Sequence, residues 1–189
     1  MAHRTPSDPK RPTLTFSLLF SLAIAQPTPS TLIDRVEVVI SDQPLTRSDI
    51  RLEAELARRI PSPNKALRDV QQRNPTQALI EQTLIRRLAA QVALYQPTTE
   101  AVRERLATLR ASFPTPGDLD HFQEQHGLDK EMLIDLLIVR LSVEQYVHRN
   151  IDLSSLSARE DDDAYFTRYR DWMDVLIMTS DIRYVEHGP

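Results

Sequence analysis

Ile33-Asp34-Arg35-Val36-Glu37-Val38-Val39-Ile40-Ser41-Asp42-Gln43-Pro44-Leu45-Thr46-Arg47-Ser48-Asp49-Ile50 is the stretch that decides the fold. Val36, Val38, Val39 and Ile40 form a β-branched run of strand length. Ser41-Asp42-Gln43-Pro44 reads as a turn. A helix then starts: Thr46 can cap it, Asp49 three residues later suits the positive end of its dipole, and Leu45 can staple onto Ile50. Near the other end of the sequence, Ile182-Arg183-Tyr184-Val185 reads as a brief strand whose natural partner is Val36–Ile40. The expected fold class is therefore mainly α, with a small two-stranded sheet joining the N- and C-terminal segments.

Between these strands the pattern is helical. Ile50, Leu52, Leu56 and Ile60 carry the first helix to Pro61. Residues 61–74 are polar with two prolines and no apolar period, and read as a loop with at most a helical turn. Asn74-Pro75 supplies a cap followed by proline at the first helical position. Leu79, Ile80, Leu84, Ile85, Leu88 and Val92 then recur near 3.6 residues. Pro97-Thr98-Thr99-Glu100 restarts a helix presenting Val102, Leu106, Leu109 and Phe113. Pro114-Thr115-Pro116-Gly117 breaks it, and a short helix through Leu119 and Phe122 stops at Gly127, which suits a left-handed cap. Asp129 caps a longer helix from Met132 to Val147. Asp161-Asp162-Asp163 open the last one, which presents Tyr165, Tyr169, Trp172, Met173, Leu176 and Ile177.

The 189 residues contain 41% hydrophobic and 26% charged residues, ordinary globular usage, so wholesale disorder is not expected. Three glycines argue against glycine-rich phosphate loops. A net charge of −4 argues against nucleic acid as a partner. With no cysteine, disulfides, thiolate catalysis and zinc–thiolate sites are excluded. His3, Arg4, Lys10 and Arg11 precede the uncharged stretch Leu14–Ala25, which ends Ala23-Ile24-Ala25. This is the three-part pattern of a secretory signal peptide, with cleavage expected after Ala25 and Ala23 as the other small residue. A buried or amphipathic N-terminal helix is the competing reading, but the stretch has no polar face. The stretch is shorter than the roughly 20 residues a membrane span needs, and no stable membrane insertion is expected. The expected divisions are a signal peptide at 1–25, a spacer at 26–32, a helical module at 33–151, a short linker at 152–161 and a closing helix and strand at 162–189.

Catalytic and metal-binding patterns are weak. His121 and His126 are five apart rather than four, and His148 and His187 stand alone. Asp161–Asp163 lack the glycine and spacing of a calcium loop. Ser154, Ser155 and Ser157 have no nucleophile-elbow context. Arg58-Arg59 and Arg86-Arg87 read as solvated helix faces, and Trp172 reads as core. No catalytic residue, metal or cofactor is assigned.

The segment Ile33–Ile50 resembles the opening of the SurA-type periplasmic chaperone module, where a signal peptide precedes a strand, turn and helix of the form "IDRVVAVVNDEVI". Ala78-Leu79-Ile80-Glu81-Gln82-Thr83-Leu84-Ile85 is similar to that family's "LIDEKLL" helix, and Thr98–Val102 to its "VSDEEV" restart. Leu119–Gly127 with Leu128–Arg140, and Asp171-Trp172-Met173 through Ile182–Val185, continue the likeness in the same order. The resemblance implies ATP-independent binding of unfolded polypeptides, notably outer-membrane proteins, in the periplasm. It also implies that the terminal helix and strand fold back onto the N-terminal module. Longer family members insert parvulin-type prolyl isomerase domains of about 100 residues. Here only Asp152 to Asp161 occupies that place, so no isomerase activity is expected.

Phe113, Phe122, Met132 and Met173 are the candidates for the client-binding surface, because flexible and aromatic side chains suit varied clients. The alternative for all four is ordinary core. The alternative function is a non-catalytic envelope-assembly protein that grips one specific partner, and a degenerate isomerase is the third reading. A homodimer is compatible with the sequence.

Overall fold

Strand β1, Val36–Ile40, buries Val38 and Ile40, and in a computed structural model it forms the middle of a three-stranded antiparallel sheet. The structure describes residues 34–152 and 162–186. The leader with Ala23 and Ala25, His3 and His187, the serines 154, 155 and 157, and most of the linker 152–161 lie outside the described residues.

The sheet has one strand more than the sequence predicts. Ser41 takes a left-handed φ of 57°, so the chain reverses within two residues and Gln43–Thr46 returns as β2. That φ costs a serine about 1–2 kcal/mol relative to the right-handed region. Hydrogen bonds fix the turn: Ser41 N–H donates to Asp181 O at 2.7 Å, and Arg87 donates to Ser41 Oγ at 2.8 Å and Ile40 O at 2.7 Å. Pro44, read as part of a turn, sits inside β2 opposite Val39. Strand β3, Ile182–Tyr184, pairs antiparallel with β1 on its other side, Ile40 opposite Ile182 and Val38 opposite Tyr184. The predicted pairing of the two terminal segments is therefore present.

Seven α-helices lie among the described residues. Helix α1, Arg47–Arg59, begins with the expected box: Thr46 Oγ1 accepts from Asp49 N–H, and Asp49 accepts from Thr46 N–H. Residues 61–74 are not mainly loop, because Lys65–Arg73 forms α2. Asn64 caps it by accepting from Leu67 N–H, and Ala66, Leu67 and Gln71 turn inward. Alanine and glutamine carry too little hydropathy for that stripe to register in sequence. Asn74 closes α2 through its backbone and opens α3, Pro75–Ala89, through its side chain, which accepts from Gln77 N–H. Val92, expected on that stripe, lies past the helix end and is exposed. A 3₁₀ turn at Ala93–Tyr95 leads to α4, Thr99–Ala111, capped by Thr98. Helix α5, Pro116–Gln125, ends before Gly127, whose φ of 61° is left-handed. Helix α6, Lys130–Val147, is capped by Asp129 and runs into a π turn at His148–Asp152. Helix α7 spans Asp162–Met178.

Two apolar cores result, and α6 belongs to both. Val38, Ile40, Ile80, Ile85, Val143, Val147 and Met173 anchor the first, between the sheet, α2, α3 and α7. Leu56, Leu109, Phe122, Leu133 and Leu137 anchor the second, between α1, α4 and α5. Each side chain of this size buried is worth about 1.5–3 kcal/mol.

Candidate functional site

An open groove of about 390 Å³ runs between α1, α3 and α6, with β2 at its edge. Its walls are apolar: Leu45 from β2, Leu52 from α1, Leu79 from α3, and Met132, Leu136 and Val139 from α6. The volume falls within the range of about 300–1,000 Å³ that ligand sites occupy. Met132 is 50% exposed, so it contributes apolar surface to the solvent side of the wall.

The floor holds a buried ion pair. Glu53 and Arg140, on α1 and α6, meet at 2.5 Å with side chains 3% and 2% exposed. Gln82 of α3 donates to the other carboxylate oxygen at 2.7 Å, and Arg140 reaches Ile60 O at 3.4 Å. Arg140 Nε has no partner. The triad ties together the three helices whose apolar sides form the groove. Burying such a pair contributes little net stability, but removing one member strands a charge.

The four candidate residues separate. Met132 lines the groove. Phe113 and Phe122 are buried side by side in the second core with ring centroids 5.5 Å apart, and Arg59 lies 3.8 Å over the Phe113 ring. Met173 is 2% exposed in the first core. Of the leucines that form the groove, Leu52, Leu79 and Leu136 read in sequence as apolar helix positions and Leu45 as a staple onto Ile50, because periodicity marks the inward face of a helix without marking which part of it stays uncovered. A lone Arg140 within the apolar run Leu136–Leu141 was the available signal for the buried pair beneath them.

Other charged residues are structural. Arg86 and Arg87 are not a solvated face: Arg86 donates to Gln43 Oε1 at 2.8 Å and Arg87 holds the β1–β2 turn. Arg59 likewise leaves the solvated face predicted for it to cover Phe113 and donate to Ser112 O. Arg105 clamps Glu144 across α4 and α6 through two bonds of 3.0 and 2.6 Å. The His126 ring lies tilted against Phe122, centroids 4.8 Å apart, and sits 3.5 Å from Glu55, while His121 is exposed. Among the described residues no group of three or more His, Asp or Glu is placed to hold a metal ion, and no helix is long and apolar enough to cross a membrane.

Helix α7 docks through its own polar contacts. Tyr169 donates to Glu81 Oε2 at 2.9 Å and Gln77 to Oε1 at 3.0 Å. Burial pushes the Glu81 carboxyl above its ordinary range, with the Gln77 and Tyr169 hydrogen bonds opposing and Asp174 adding to the rise. Burial also drives the Tyr169 hydroxyl upward, so it remains a donor. Trp172, half-buried, stacks on Tyr146 at 6.1 Å and meets Tyr169 edge-on at 5.9 Å.

No protein-family model matches the chain, and no curated protein sequence matches it.

Proposed function

We propose that the chain is an ATP-independent holding chaperone of the periplasm, exported by its N-terminal leader. In this reading it binds unfolded polypeptides such as outer-membrane proteins and carries no prolyl isomerase activity. The observation that carries the reading is the open groove walled by Leu52, Leu79, Leu136, Val139 and Met132. Apolar side chains entering it would gain about 25 cal/mol per Å² removed from water, with little demand on their identity. A second support is the antiparallel pairing of β3 with β1, the kind of closure that the resemblance to SurA-type modules implies.

The test is suppression of aggregation. An outer-membrane protein diluted from urea should scatter less light in the presence of the purified chain without nucleotide. Leu136→Asp should remove most of that protection, while Val175→Asp, on the exposed part of α7, should leave it intact. Equal protection by both variants, or none from the unaltered chain, contradicts the proposal. A single tight complex with one native envelope protein would favour the envelope-assembly reading instead.

A further inference from the structure

The polar groups around the groove are almost all engaged with one another. Gln82 is bound to Glu53, Thr83 donates to Leu79 O at 2.8 Å, and Arg86 is held on Gln43. The Asp49 carboxylate accepts from both Thr46 N–H and Thr46 Oγ1 at 2.8 Å.

The strand at the groove's edge lacks free donors as well. Arg47 N–H points across to Arg35 O, so residues of the same parity in β2 face β1, and Pro44 and Thr46 face outward. Pro44 has no N–H, and that of Thr46 belongs to Asp49. An extended segment therefore finds no free donor for strand addition along β2. Pressed against leucine walls, each of its backbone groups left unpaired would cost about 1–3 kcal/mol. A helix satisfies its backbone internally and presents apolar side chains at i, i+3, i+4 and i+7. One lining charge remains unengaged: Asp135, exposed on α6, makes no hydrogen bond or ion pair among the described residues.

We infer that the groove takes the apolar face of an amphipathic helical segment of a client polypeptide, one that carries a lysine or arginine to meet Asp135. This rests on the groove being the client site proposed above, and it narrows the client from any unfolded chain to segments able to form a helix on binding. The walls supply affinity through side chains, and Asp135 supplies sign preference at the mouth.

Fluorescence anisotropy with the full-length chain and three labelled peptides of equal apolar content tests it. One is a lysine-bearing amphipathic helix, one has glutamate for each lysine, and one has a central Gly-Pro that breaks the helix. The broken peptide is expected to bind about tenfold more weakly, since it must order without forming its own hydrogen bonds. The glutamate peptide is expected to bind about three- to fivefold more weakly at low salt, as exposed ion pairs allow. Asp135→Lys, at an exposed position that leaves the fold intact, should reverse that preference. Equal binding of the broken peptide, or a charge preference indifferent to Asp135→Lys, overturns the inference. If no peptide binds while an unfolded outer-membrane protein is still protected through Leu136, the inference falls and the chaperone reading stands. If neither binds, both fall.

Discussion

Glu53 shows how much depends on a single buried carboxylate. Its two oxygens are taken by Gln82 and Arg140 on the floor of the groove, where the side chain is almost wholly buried. Glu53→Ala is expected to destabilise the fold by about 3–5 kcal/mol, because Arg140 would then be buried as an uncompensated charge. The double change Glu53→Leu with Arg140→Met should recover most of that loss, and urea unfolding of the two variants beside the unaltered chain measures it. Glu81 makes the opposite kind of prediction. Its folded carboxyl is raised above the ordinary range, chiefly by burial, so the folded state holds its proton more tightly than the unfolded chain does. The stability it contributes is fully present below the ordinary glutamate range and is lost as pH rises through the raised folded value. Arg73 from α2 and Asp174 from α7 also face it, with opposite signs. Thermal unfolding across mildly acidic pH should therefore show stability falling with pH through this window. Glu81→Gln, which can still accept from Tyr169, should flatten that part of the curve.

At the scale of elements, the caps were the most legible feature of the sequence. Thr46 with Asp49, Asn74 before Pro75, Thr98, Gly127 and Asp129 all act where their residue types suggest, because capping is local chemistry between neighbours. Asn74 serves two helices at once, and Asn74→Ala should cost about 1 kcal/mol, read as a lower Tm with unchanged helical circular dichroism. What the sequence hid depended on tertiary partners. Helix α2 has an inward face of Ala66, Leu67 and Gln71, and Gln71 is acceptable there because it accepts from Ser62 N–H. Strand β2 exists because Arg87 and Asp181 hold a left-handed Ser41, and neither is near in sequence. Phe113 and Met132 look alike as apolar positions, yet Arg59 and Phe122 cover one while the groove leaves the other bare.

At the scale of the whole molecule, α6 links the two cores and supplies one wall of the groove, so the groove and both cores share an element. Leu133 and Leu137 are buried in the second core, Leu136 packs against that core and also lines the groove, and Met132 and Val139 line the groove, which is why apolar surface stays open on a helix that cannot turn away. Such a surface lowers stability when empty and yields affinity when filled. The chain contains no cysteine, so a single Met132→Cys variant carries one unique thiol in the groove and Met178→Cys one on exposed α7 surface. Each can be tagged with a photo-crosslinker and illuminated with an unfolded outer-membrane protein present. Crosslinking concentrated at position 132 and nearly absent at 178 is the expected result. Equal yields at the two positions, or a higher yield at 178, would show that clients are held elsewhere and contradict the groove as the binding site.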